Sequence, residues 1–143
     1  KYKYMTTHYS SKHGIIGRSN MELFMAFSDP RNIMSMMPKD EKALQDVSID
    51  ADFDNLKILA KGITINVKIV ERQPYSKIVL NSVDSPIKFT ATLNFKDAGG
   101  FRTEFFIELD AEMNIFIKKM IGDKIETGLN KVIDALVNQS AHI

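Results

Sequence analysis

Hydrophobic and polar residues alternate with a period of two over most of the second half of the chain. Ile63, Ile65, Val67 and Ile69 fall on one side of an extended segment, and Thr64, Asn66 and Lys68 fall on the other. Ile87, Phe89, Ala91, Leu93 and Phe95 oppose Lys88, Thr90, Thr92, Asn94 and Lys96. Phe105, Ile107 and Leu109 oppose Arg102, Glu104 and Glu108, with Phe106 breaking the polar row. Alternation of this kind predicts strands with one dry face and one wet face. Turn signals divide the region. "LQDVSIDAD" turns at "DFDN" into "LKILA", which turns at "KG" into "ITINVKIVER". "QPYS" leads to "KIVLNS", "DSP" to "IKFTATLNFKD" and "AGG" to "FRTEFFIELD". The pattern is about six strands in an antiparallel meander.

The flanks read differently. Tyr4 to Ile16, rich in Thr, Tyr and Ile, predicts a first strand. Ser19 and Glu22 form the S-x-x-E signature of a capping box, which opens a helix whose apolar face carries Leu23, Phe24 and Phe27. Pro30 disfavours helical geometry at Asp29 and suits the first turn of a second short helix, with Asp29 as its cap. That second helix holds "NIMSMMP" and closes at Pro38. From Asn114 to about Asn138, Ile117, Ile121, Ile125, Leu129, Val132 and Leu136 recur at helical spacing. A helix of that length spans about 35 Å, enough to lie along the dry face of the whole sheet. Gly122 and Gly128 inside it predict close packing or a bend.

A strand, two short helices, a meander and a long C-terminal helix resemble the START-like superfamily, also called SRPBCC or helix-grip. That superfamily includes the birch-pollen-allergen group, lipid-transfer domains and polyketide cyclases. Two stretches carry the local likeness. "HGIIGRSNMELFMAFSDPRNIMSMMP" is similar to the strand-and-helix segment of small bacterial members, and "LDAEMNIFIKKMIGDKIETGLNKVIDAL" to their last strand and long helix. The resemblance implies an α+β helix-grip fold over residues 1–143 as a single domain. Its curved antiparallel sheet has about seven strands around the C-terminal helix. It also implies an apolar cavity between sheet and helix, with the two short helices at its entrance.

On that reading Phe27, Met34, Met37, Ile65, Val67, Phe89, Leu93, Phe105, Ile107, Phe116, Met120 and Ile121 line a site for a small hydrophobic molecule. Met34, Met36 and Met37 form either a deformable gate or ordinary core, since methionine adapts to surfaces of varied shape. The expected function is non-enzymatic binding or transport of a lipid, fatty acid or polyketide-like compound. The enzymatic alternative is a cyclase or dehydratase in which Tyr9, Ser11 or His13 supplies acid–base chemistry. All three are read as sharing one face of the first strand, while His8 and His13 take opposite faces. A protein-binding or chaperone-associated module is a further alternative, hinted at only by Phe106.

Composition narrows the chemistry. Nineteen basic residues face eighteen acidic ones among 143. The resulting net charge of +1 builds no field for nucleic acid. There is no cysteine, so there is no disulfide, no thiol nucleophile and no cysteine zinc site, which suits a reducing cytoplasm. The three histidines lack carboxylates at metal-ligand spacing, so neither metal nor cofactor is expected. No G-x-S-x-G occurs, and "DAGGF" lies between strands as a turn rather than a phosphate cradle. No apolar run reaches the roughly 20 residues of a membrane helix.

Overall fold

The computed structural model describes residues 5–32, 47–60, 62–85 and 87–140. The chain opens with β1 (Met5–Ser10) and β2 (Gly14–Ile16), then α1 (Asn20–Phe27) and a 3-10 helix (Pro30–Asn32). The meander follows as β3 (Val47–Ala51), β4 (Asn55–Ala60), β5 (Ile63–Gln73), β6 (Lys77–Ser82), β7 (Lys88–Gly99) and β8 (Arg102–Met113). α2 (Ile115–Ser140) closes the described chain. All pairings are antiparallel, in the order β1-β8-β7-β6-β5-β4-β3, with β2 also on β8.

The sheet therefore has eight strands rather than about seven, because the first strand is broken. Ser11 stands opposite Ile107, its N–H donating to the Ile107 carbonyl at 2.8 Å. Gly14 stands opposite Phe105. Three steps on one strand thus match two on the other, which is the count of a β-bulge. The Ser11 side chain stitches the gap. Its Oγ accepts from Ile107 N and donates to the Lys12 carbonyl, both at 2.8 Å. A second insertion falls in β5, where Ile69 opposes Leu80 but Glu71 opposes Val79. Beyond it Arg72 opposes Ile78 and so joins the inner face.

The helix start is built as its residues dictate. Ser19 caps α1, accepting the Glu22 amide at 3.2 Å. The Ser19 hydroxyl in turn donates to Glu22 Oε1 at 3.5 Å. Asp29 accepts the Arg31 amide at 3.1 Å and so caps the 3-10 turn.

The core lies between the inner sheet face and the helices. Phe24 and Phe27 of α1 meet Phe95 and Phe105 at ring separations of 5.5 to 6.1 Å, and Phe95 and Phe105 lie 5.3 Å from each other. Ile16, Leu23, Leu56, Val67, Ile69, Ile78, Leu80, Ile107 and Ile133 complete it. α2 packs against β1, β2 and β8. Its close approach depends on Gly14, where a Cβ would lie 2.5 Å from Ile133 Cγ2. Gly122 meets β1 closely, whereas Gly128 has open space around it.

Candidate functional site

The alternation of β4 to β8 lays one apolar row across the inner face. Cross-strand neighbours are Leu56 and Val67, Ile58 and Ile65, Leu80 and Ala91, Leu93 and Ile107, and Phe95 and Phe105. Val67, Phe105 and Ile107 are buried. Phe27, Ile65, Phe89 and Leu93 are half-buried against them, together with Ile49, Ile58 and Ala91. The inner face thus brings together Phe27, Ile65, Val67, Phe89, Leu93, Phe105 and Ile107 in a single cluster.

The helix residues stand apart from it. Ile121 is half-buried, whereas Phe116 and Met120 are exposed, Met120 at 71%. At about 100° per residue, Met120 and Gly122 lie roughly 160° apart around α2. Phe116 and Met120 therefore occupy the flank turned away from β1. Met34, Met36 and Met37 lie outside the described residues.

The polar candidates separate. The bulge at Ser11–His13 reverses the parity of the strand, so His13 does not share a face with Tyr9 and Ser11. Its ring stacks on Phe106 at 3.9 Å on the outer face, and its Nδ1 lies 3.0 Å from Glu104 Oε2. His8 is also outward, 2.7 Å from Asp110 Oδ1. The two histidines thus share a face, and Phe106, the break in the polar row, is covered by His13.

Ser11 is committed to its two backbone partners. Thr103, fully buried, donates to the Arg18 carbonyl at 2.7 Å. Tyr9 Oη is buried with no hydrogen-bond partner. Among the described residues, no group of three or more His, Asp or Glu side chains is placed to share an ion.

The unpaired phenol rests against α2. A Cβ at Gly122 would lie 3.2 Å from Tyr9 Oη. A buried hydroxyl without a partner costs about 1–3 kcal/mol, so Tyr9→Phe should hold or raise stability. Gly122→Ala gains helix propensity but presses on that oxygen. It should be more favourable in the Tyr9→Phe background than in the wild type. A double-mutant cycle of urea unfolding reads this coupling, and strict additivity would contradict it.

One constellation at the rim escaped sequence reading. Arg72, turned inward by the β5 bulge, donates from Nε and Nη2 to the Ser28 carbonyl at 3.0 and 2.9 Å. It also reaches the Phe53 carbonyl and Asp54 Oδ1, the latter at 2.9 Å, and its guanidinium lies 4.2 Å from the Phe53 ring centroid. A single side chain therefore ties the end of α1 to the β3–β4 turn. Beside it, Arg31 holds the Asp29 carboxyl below its ordinary value of 3.8, chiefly through their side-chain hydrogen bonds. Asp52 is lowered as well, first by the Asp54 amide and then by the Asn55 side chain. The signal for Arg72 was weak, since nothing local in "IVERQ" reports an inserted residue.

Neither a family model nor a curated protein matches the chain. Solved structures do. Norcoclaurine synthase from Thalictrum flavum, solved with dopamine and hydroxybenzaldehyde, superposes at a TM-score of 0.72 and 12% identity. The match covers 97% of this chain and 88% of that one. A Rhizobium loti protein matches at 0.68 and 14%, covering 96% and 99%. An uncharacterized Bacillus thuringiensis protein matches at 0.70 and 10%, covering 94% and 99%. At such identities the likeness defines a fold. The chain has the helix-grip fold, that of the START-like (SRPBCC) superfamily its sequence resembles.

Proposed function

We propose that the protein binds one small hydrophobic molecule, of the lipid, fatty-acid or polyketide-like class, between the inner sheet face and α2. The observation that carries this reading is a pair of apolar stretches on the inner face, Ile49, Ile58 and Ile65 across β3 to β5 and Phe89, Ala91 and Leu93 along β7. These side chains sit on the core yet are only half covered by the described residues. Each further 100 Å² of apolar surface covered is worth about 2.5 kcal/mol. Phe116 and Met120, on the flank of α2 away from β1, supply the helix wall in this proposal, with Ile121 below them. The cyclase-type alternative loses support, because His13 is on the outer face, Ser11 is bonded to backbone, and Tyr9 Oη is left without a polar partner. Acid–base catalysis needs such groups aimed at the reacting centre.

Titration with a fluorescent fatty-acid probe tests the reading. Wild type should show saturable uptake at one site. Met120→Asp, at an exposed position, should weaken uptake about tenfold while leaving the unfolding midpoint unchanged. No saturable uptake, or no effect of Met120→Asp, would remove the proposal.

A further inference from the structure

We propose that two copies of the chain pair through β1, antiparallel about a two-fold axis at Tyr9, so that Lys118 of each copy meets Glu126 of the partner subunit. β1 ends the sheet, and among the described residues no strand covers its outer edge. Edge strands are normally blunted by lysine, proline or a bulge. "MTTHYS", Met5–Ser10, carries none of these, and the bulge and Lys12 that follow bound the open edge at Ser10. The Ser11 amide points to Ile107. By antiparallel alternation the backbone groups of Thr6, His8 and Ser10 then point away from β8. An axis at Tyr9 sets His8 opposite Ser10 of the partner subunit, so the outward groups of this pair fall into register on both sides of the axis, while Thr6 meets the bulge, where the Lys12 amide is already held by Asn130.

The groove beside this edge says which partner fits. It has a volume of about 400 Å³ and lies between Thr7 and Tyr9 on one side and Lys118, Gly122, Asp123 and Glu126 on the other. α2 runs in the same direction as β1, because Gly122 lies beside Tyr9 and Asn130 accepts the Lys12 amide at 2.6 Å. Lys118 and Glu126 are each four residues from Gly122, so they sit about 6 Å to either side of the Tyr9 level. A two-fold axis there exchanges the two ends and places unlike charges together. Self-complementarity of this kind is what an isologous interface requires. Among the described residues neither Lys118 nor Glu126 has an ion-pair partner within the chain.

Sedimentation velocity of the full chain across the micromolar range tests the pairing. Wild type should show a concentration-dependent dimer. Lys118→Glu should weaken it about tenfold, and Glu126→Lys equally, since each reversal makes both symmetric contacts repulsive. Mixing the two single variants should restore association, because each supplies the charge the other lacks. A monomer at every concentration would overturn the proposal. So would a dimer indifferent to the single reversals, which would place the interface elsewhere.

Discussion

Gly14→Ala is expected to cost about 2–3 kcal/mol of stability, out of proportion to one added methyl group. The position has no unusual backbone angle, and its requirement comes from across the interface. An alanine Cβ there would lie 2.5 Å from Ile133 Cγ2 and 2.8 Å from Val137 Cγ2, closer than real carbon contacts allow. Ile133 is fully buried and has nowhere to turn. The strain must then move α2 as a body, loosening its packing on β2 and β8. Close-packed interiors resist such shifts. Urea unfolding would show the loss as a lower midpoint with an unchanged slope. A cost below about 0.5 kcal/mol would mean that α2 rides freely over β2 and that this contact does not set its position.

The second large effect is expected at Arg72. Arg72→Met keeps the apolar stem but removes every donor, leaving the Ser28 and Phe53 carbonyls and Asp54 without their guanidinium partner. Hydrogen bonds to a charged group are worth about 1.5–3 kcal/mol each before relaxation, and water can reach part of this site. A net loss of about 2–3 kcal/mol follows. Arg72→Lys should recover less than half of it, because an ammonium cannot match the planar fork that spans two carbonyls and a carboxylate. Hydrogen exchange supplies the spatial readout, with protection falling at the α1 end near Ser28 and in the β3–β4 turn near Asp54. Full recovery by lysine would show that charge alone, not geometry, holds the rim.

The repeating features of the molecule were legible in the sequence. Strict alternation in "ITINVKIV" and "IKFTATLNF" named the inner face, and Ser19 with Glu22 marked the start of α1. The insertions at Ser11–His13 and after Ile69 were not legible. A one-residue slip is defined only against a partner strand, and it reverses the facing of everything beyond it. That is why His13 was placed with Tyr9 and Ser11 but lies outside, and why Arg72 was missed. Gly14 was unremarkable for the same reason, since its neighbours are more than a hundred residues away in sequence. In the candidate site, apolar identity could be read from the chain, but degree of cover could not. Val67 and Phe105 are buried while Leu93 is half open and Met120 exposed, although all four read alike as apolar residues.

The most direct test of the hydrophobic-ligand account is native mass spectrometry of the purified protein with saturated fatty acids of increasing chain length. One-to-one complexes should form, with affinity rising with each added methylene. Burial of a CH₂ contributes about 0.8 kcal/mol, or roughly fourfold in affinity, until the inner face is filled. Affinity that does not depend on chain length, or the absence of any complex, would contradict it.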